Sequence, residues 1–202
     1  MSALLREPGY EQSVCRLGEL DHYTLIVEDA ESVAQFHTEM LGFELVEVRP
    51  LNTGTAAPGK FDMLNYIMRF PDESARTLVI TEGLTDDSIF RRQLRAHGPG
   101  IHHMAYQVED IDKAVKALRK AGAQLLSDEI MRDARSGLRQ IFVELPGAGY
   151  TLELIERKSC LAPESFEDSN MVGLAKSIDE ADEGRSEPHI DVRDDLVERT
   201  FT

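Results

Sequence analysis

His22, His103 and Glu153 are the side chains of this sequence whose types and spacing could do chemistry together. Either histidine alone would pass for a hydrogen-bonded structural residue. An internal repeat joins them: His22-Tyr-Thr-Leu-Ile-Val-Glu-Asp and His103-Met-Ala-Tyr-Gln-Val-Glu-Asp keep His, Val, Glu and Asp in register at an offset of 81. Glu153 stands between Leu152 and Leu154 in a segment that otherwise belongs in a core, where an unpaired carboxylate costs on the order of several kcal/mol. A bound cation removes that cost. Two neutral imidazoles and one carboxylate suit a divalent metal and leave about three coordination positions for water, substrate or dioxygen, the facial arrangement of non-haem iron oxygenases. Fe(II) is the expected ion, with Mn(II), Co(II), Ni(II) and Zn(II) as alternatives.

The elements that must position these residues repeat as well. Each histidine opens a strand that runs into a helix, with Asp29 and Asp110 as N-terminal caps and Gly42 and Gly122 as stops. Val33, Phe36, Met40 and Leu41 in the first helix answer Ala114, Val115, Leu118 and Ala121 in the second as apolar stripes. A strand follows each helix, over Glu44–Arg49 and Ala123–Ser127. Then, at an offset of 74, Leu64-Asn-Tyr-Ile-Met matches Leu138-Arg-Gln-Ile-Phe, and Thr77-Leu-Val-Ile-Thr-Glu matches Thr151-Leu-Glu-Leu-Ile-Glu. The predicted fold is therefore α+β, two tandem βαβββ modules over about 19–84 and 99–158. Their curved sheets are expected to face each other around one metal cavity, because either half alone would leave a sheet face uncovered. Equivalent positions share a strand face. His22 and His103 are thus expected opposite each other across the cavity, with Val79, the repeat partner of Glu153, lining it too and Glu82 on the opposite face.

Outside that region the sequence changes character. Residues 1–18 form a polar lead-in, and residues 159–202 form a tail with twelve acidic and four basic side chains, eight of the fifteen net negative charges. Within the tail, Asn170–Asp182 has Met171, Val172, Leu174, Ala175 and Ile178 at helical spacing behind Ser169. A net charge of -15 repels phosphate backbones and excludes nucleic acid as the expected partner. No apolar run is long enough for a membrane span, no secretory signal is evident, and Cys15 and Cys160 lack CxxC spacing. A cytoplasmic protein with free thiols is expected, monomeric or homodimeric, with a small-molecule substrate.

The stretch Gly100-Ile-His-His-Met-Ala-Tyr with Asp110-Ile-Asp resembles the vicinal-oxygen-chelate superfamily, which includes glyoxalases, methylmalonyl-CoA epimerases and several dioxygenases. The likeness spans roughly residues 20–157. Leu138-Arg-Gln-Ile-Phe and Thr151-Leu-Glu-Leu-Ile-Glu-Arg look most like the final strands of the 4-hydroxyphenylpyruvate dioxygenases. That resemblance implies iron on His22, His103 and Glu153, Gln140 holding the substrate's keto-acid oxygens, and dioxygen as co-substrate. The function it implies is a dioxygenase acting on a 2-oxo acid or related vicinal-oxygen compound. The alternative is a metal-dependent isomerase or lyase of the epimerase or glyoxalase type, in which the metal polarises a carbonyl and a side chain removes the adjacent proton. Glu144 and Asp62 are the carboxylates available for that step. In epimerases of the superfamily a fourth ligand, Glu or Gln, stands where this chain has Val79. A binding protein without turnover is a third reading, against which the retention of all three ligand types argues.

Overall fold

The structure, a computed structural model, describes residues 13–157 apart from 73, 75, 134–136 and 146, together with residues 172 and 173. The elements run β1 (Leu20–Ile26), α1 (Ala30–Leu41), β2 (Glu44–Leu51), β3 (Met63–Arg69), β4 (Thr77–Gly83), α2 (Ile89–His97), β5 (Gly100–Gln107), α3 (Ile111–Lys120), β6 (Met131–Arg132), β7 (Arg139–Val143) and β8 (Thr151–Glu156). The two βαβββ modules are both present. In each, the first strand lies parallel to the last, β1 beside β4 and β5 beside β8. That arrangement leaves the outer edges of β1 and β5 unpaired within their own modules. They pair with each other antiparallel, and the two predicted sheets become one continuous curved sheet ordered β2-β3-β4-β1-β5-β8-β7-β6.

Helices α1 and α3 pack on one face of this sheet, and α2 packs on the other. Asp29 and Asp110 cap α1 and α3 as predicted, accepting from the backbone N–H groups of Ser32 and Lys113. Two further carboxylates reach the same helix ends from the sheet: Glu82 accepts from Ala30 N at 3.0 Å and Glu156 from Ile111 N at 2.8 Å. These residues are repeat partners, and each places a negative charge at a helix N-terminus. Glu82 therefore serves the helix face, as expected. Beneath α3 lie Ile111, Ala114, Val115, Ile141, Val143 and Leu154. Beneath α1 lie Ala30, Ala34, Met68, Leu78 and Ile80.

Four differences from the sequence reading have physical causes. First, α1 turns only part of its predicted stripe to the core: Val33 packs there, but Phe36, Met40 and Leu41 are 55%, 68% and 48% exposed, and the buried residues of the helix are the small Ala30 and Ala34. Second, Ala123–Ser127 forms no strand beyond a bridge from Leu125 to Val143, and the edge of that half is instead the two-residue β6. Gln124, Ser127 and Asp128 give the segment no alternating pattern that would hold a ladder. Third, the stretch between the modules, to which the sequence reading assigned no element, is α2. Its Ile89, Phe90 and Leu94 bury against Ile26, Leu51 and Met63, and it crosses β4 so closely that a Cβ at Gly83 would lie 2.5 Å from Arg91 N. Fourth, the end of the lead-in is docked: Gly18 N donates to Gln107 O, and Cys15, a free thiol, and Leu17 pack under α3.

Of the predicted tail helix, Val172 and Gly173 are helical, with Gly173 against Met131. The rest of the tail and Cys160 lie outside the described residues. Among the described residues no helix is long and apolar enough to cross a membrane.

Candidate metal centre

The strand registers build the centre. On the face opposite α1 and α3, one row of paired residues runs His22, Ala105, Glu153 across β1, β5 and β8. The next row runs Val79, Thr24, His103 across β4, β1 and β5. The rows are repeat images, with Ala105 equivalent to Thr24 and Glu153 to Val79. The histidines consequently do not face each other across a cavity, as the sequence reading expected. They are diagonal neighbours on adjacent strands, a separation that long side chains bridge.

All three donor groups converge, their ligand atoms lying within 4.8 Å of one another. Nε2 of His22 is 3.3 Å from Nε2 of His103. Oε2 of Glu153 is 3.2 Å from the first and 3.5 Å from the second. All three residues are at least 97% buried. The two carboxylate contacts lack hydrogen-bond alignment, and neither Glu153 oxygen accepts a hydrogen bond. A nearly equilateral triangle of donors with an orphaned buried carboxylate is what a small divalent ion with bonds of about 2.0–2.2 Å requires. The residues present fit a metal.

Electrostatics point the same way. Burial opposes charge on His22, but the Glu153 carboxylate and the Asp21 hydrogen bond outweigh it, and the imidazole is pushed up to about 9. His103 is held well below its ordinary value by burial and by its histidine neighbours. The site thus attracts one positive charge, on the side of His22.

Several contributors were not singled out from the sequence. Asp21 accepts from Nδ1 of His22 at 3.0 Å and is itself held by Arg157 through two contacts of 2.6 and 2.8 Å and by Gln107 at 3.2 Å. Despite burial, Arg157 and His22 keep the Asp21 carboxyl well below the usual carboxylate range. A carboxylate behind a ligating imidazole is the usual way to set its tautomer and orientation. Its position immediately before His22 was the available signal. Ala105 is fully buried, and its small side chain leaves the space over which His22 and Glu153 meet. Gln140 lies on β7 on the same sheet face, two residues from Phe142, which pairs with Glu153 and meets the His103 ring edge-on at 5.7 Å. Asp62 is fully buried and occupied: it accepts from the backbone and hydroxyl groups of both Thr53 and Thr55. Glu144 is half-buried, just past the end of β7, with its N–H on Gln124 O.

Comparison with known proteins fits this architecture. Residues 21–142 match the family model for the Glyoxalase/Bleomycin resistance protein/Dioxygenase superfamily. The 4-hydroxyphenylpyruvate dioxygenase of Caenorhabditis elegans is 28% identical over 122 residues, 60% of this chain but 29% of the nematode protein. The chain thus spans less than a third of the length of that dioxygenase. The human mitochondrial methylmalonyl-CoA epimerase is 28% identical over 145 residues, 72% of this chain and 77% of the epimerase. The crystal structure of methylmalonyl-CoA epimerase from Mycobacterium tuberculosis superposes with a TM-score of 0.56 at 24% identity, covering 73% of this chain and 91% of that one, a likeness of fold. With its two βαβββ modules and a family match over more than half its length, the chain belongs to the glyoxalase/bleomycin resistance/dioxygenase superfamily.

Proposed function

We propose that this protein is a metal-dependent isomerase or lyase that moves a proton at the carbon beside a carbonyl, with a substrate presenting two neighbouring oxygens. The observation that carries the reading is the His22, His103 and Glu153 triangle in a chain that covers most of the human epimerase's length. A divalent cation held there supplies Lewis-acid polarisation of a carbonyl oxygen and, when it is iron, electrons for dioxygen. The chain's own residues do the rest. His22, His103 and Glu153 would hold the ion, and Asp21 with Arg157 keeps the His22 ring in the orientation that presents Nε2. The base must share the metal face. Glu47 does so, in register with Ile67 and through it with Val79, and it is ion-paired to Arg49. Both Asp62 oxygens are already engaged by threonine donors.

A second reading, the dioxygenase, has its own support. Val79 leaves the three-residue facial set without a fourth ligand, and Gln140 lies on the same face. Metal-loaded protein incubated in deuterium oxide with 2-substituted acyl-CoA thioesters separates the two. Deuterium entering the carbon beside the carbonyl with zinc or cobalt, and falling at least tenfold in Glu47→Gln, is the expected result (about 1.4 kcal/mol in the barrier). Oxygen consumption with 2-oxo acids, confined to the ferrous form and unaccompanied by exchange, would overturn it in favour of the dioxygenase.

A further inference from the structure

Each ligand histidine is preceded by a residue that the sheet treats in the same unusual way. The β1–β5 register jumps from Leu20 opposite Tyr106 to His22 opposite Ala105, which leaves Asp21 as the extra residue of a β-bulge. It jumps again from Thr24 opposite His103 to Leu25 opposite Ile101, which leaves His102 extra. A strand without the second bulge would aim His102 and His103 at opposite faces. With it, Nδ1 of His102 lies 2.8 Å from Nδ1 of His103, just as Asp21 lies 3.0 Å from Nδ1 of His22. Asp21 and His102 are repeat partners at the same offset as the ligands themselves. The His102 ring is 92% buried and is backed by Phe90 of α2, 5.5 Å away between ring centres.

Two facing ring nitrogens 2.8 Å apart share one proton, and valence decides its place. His103 can offer Nε2 to a cation only as the Nδ1–H tautomer. Its Nδ1–H must then donate to an unprotonated Nδ1 on His102, which carries its own proton on Nε2. That Nε2 has no hydrogen-bond partner among the described residues. The ring thus gives up one hydrogen bond of its own while it sits against His103.

We propose that His102 is a positioning residue that accepts the Nδ1 proton of His103 and fixes the tautomer that leaves Nε2 free for the metal, the task Asp21 performs for His22. The proposal rests on the metal-centre reading above. It also makes the two imidazoles unequal ligands, because the partner of His22 is an anion and that of His103 is neutral. α2 acquires a role as the support that holds His102 in place through Phe90.

The test uses full-length protein loaded with zinc, which is diamagnetic, and labelled with 15N at histidine. Metal analysis first establishes that zinc is bound. Scalar coupling through the N–H···N hydrogen bond should then link Nδ1 of His103 to Nδ1 of His102, with His102 protonated on Nε2. His102→Gln, whose amide oxygen can still accept, should keep zinc affinity within a few-fold, whereas His102→Leu should weaken it about tenfold to a hundredfold. Bound zinc without the coupling, or full affinity in His102→Leu, would overturn the assignment while leaving the metal centre standing. Should His102→Leu not fold, the coupling in the unmutated protein decides alone. Failure of the unmutated protein to bind zinc, cobalt or iron would remove the metal-centre reading and this proposal with it.

Discussion

Glu153 and His22 lie on strands that are not neighbours, yet their donor atoms meet at 3.2 Å because the residue between them in the row is Ala105. A small side chain at the middle of the row is thus as much a part of the centre as the ligands. In the repeat, the middle position is Thr24, whose hydroxyl lies 3.1 Å from Nε2 of His103. The first half therefore fills the space that the second half leaves clear.

Ala105→Val tests this. The branched residue Thr24 is accepted at the equivalent place, so the backbone should tolerate the change, with a stability cost of about 1 kcal/mol. Cobalt titration should show affinity lower by tenfold or more, about 1.4 kcal/mol. Unchanged affinity would mean that His22 and Glu153 do not meet over Ala105.

Val79→Glu combined with Thr24→Ala, which clears the space the hydroxyl fills, should add a fourth ligand, since Val79 stands to His103 through residue 24 as Glu153 stands to His22 through Ala105. Without metal the new buried carboxylate should destabilise the fold by roughly 2–4 kcal/mol, and metal should restore the loss. Melting curves with and without cobalt would show the gap widen relative to the unmutated protein. Equal gaps would place residue 79 off the metal face.

Glu82→Ala and Glu153→Ala should behave in opposite ways. Glu82 only supports the N-terminus of α1, so its loss should cost about 1 kcal/mol of stability and leave metal affinity alone. Glu153→Ala should abolish tight metal binding, because it removes one of the three converging donors. A metal defect in Glu82→Ala would reverse the assignment of faces.

Asp62 predicts a pH dependence. Burial would raise its carboxyl, but the hydroxyl and amide donors of Thr55 and Thr53 outweigh that and hold it below the ordinary 3.8. A carboxylate lowered on folding stabilises fully above its unfolded value, and that contribution disappears as pH falls through the folded one. Asp62→Ala should therefore cost about 3 kcal/mol at neutral pH, with the difference from unmutated protein shrinking in acid. Urea unfolding across the acid range measures it; a constant difference would mean that the threonines do not hold a charged Asp62.

Much of this molecule is written in one dimension. Repeated strands, caps at Asp29 and Asp110, and the pairing of His22, His103 and Glu153 follow from periodicity and offset, because local hydrogen bonding and the two-residue alternation of strands are properties of short segments. The helix α2 had a weaker trace: Ile89, Phe90 and Leu94 are too few apolar positions to be told from a loop until the sheet they cover is known. Only the tertiary structure decided how the modules meet. Whether β1 joins β5 edge to edge or faces it depends on which outer edge is left unpaired, and no single segment encodes that. The same holds for Asp21 and His102. Their bulges exist only in the β1–β5 ladder, so the sequence names both residues, but only strand pairing turns them toward the ligand histidines.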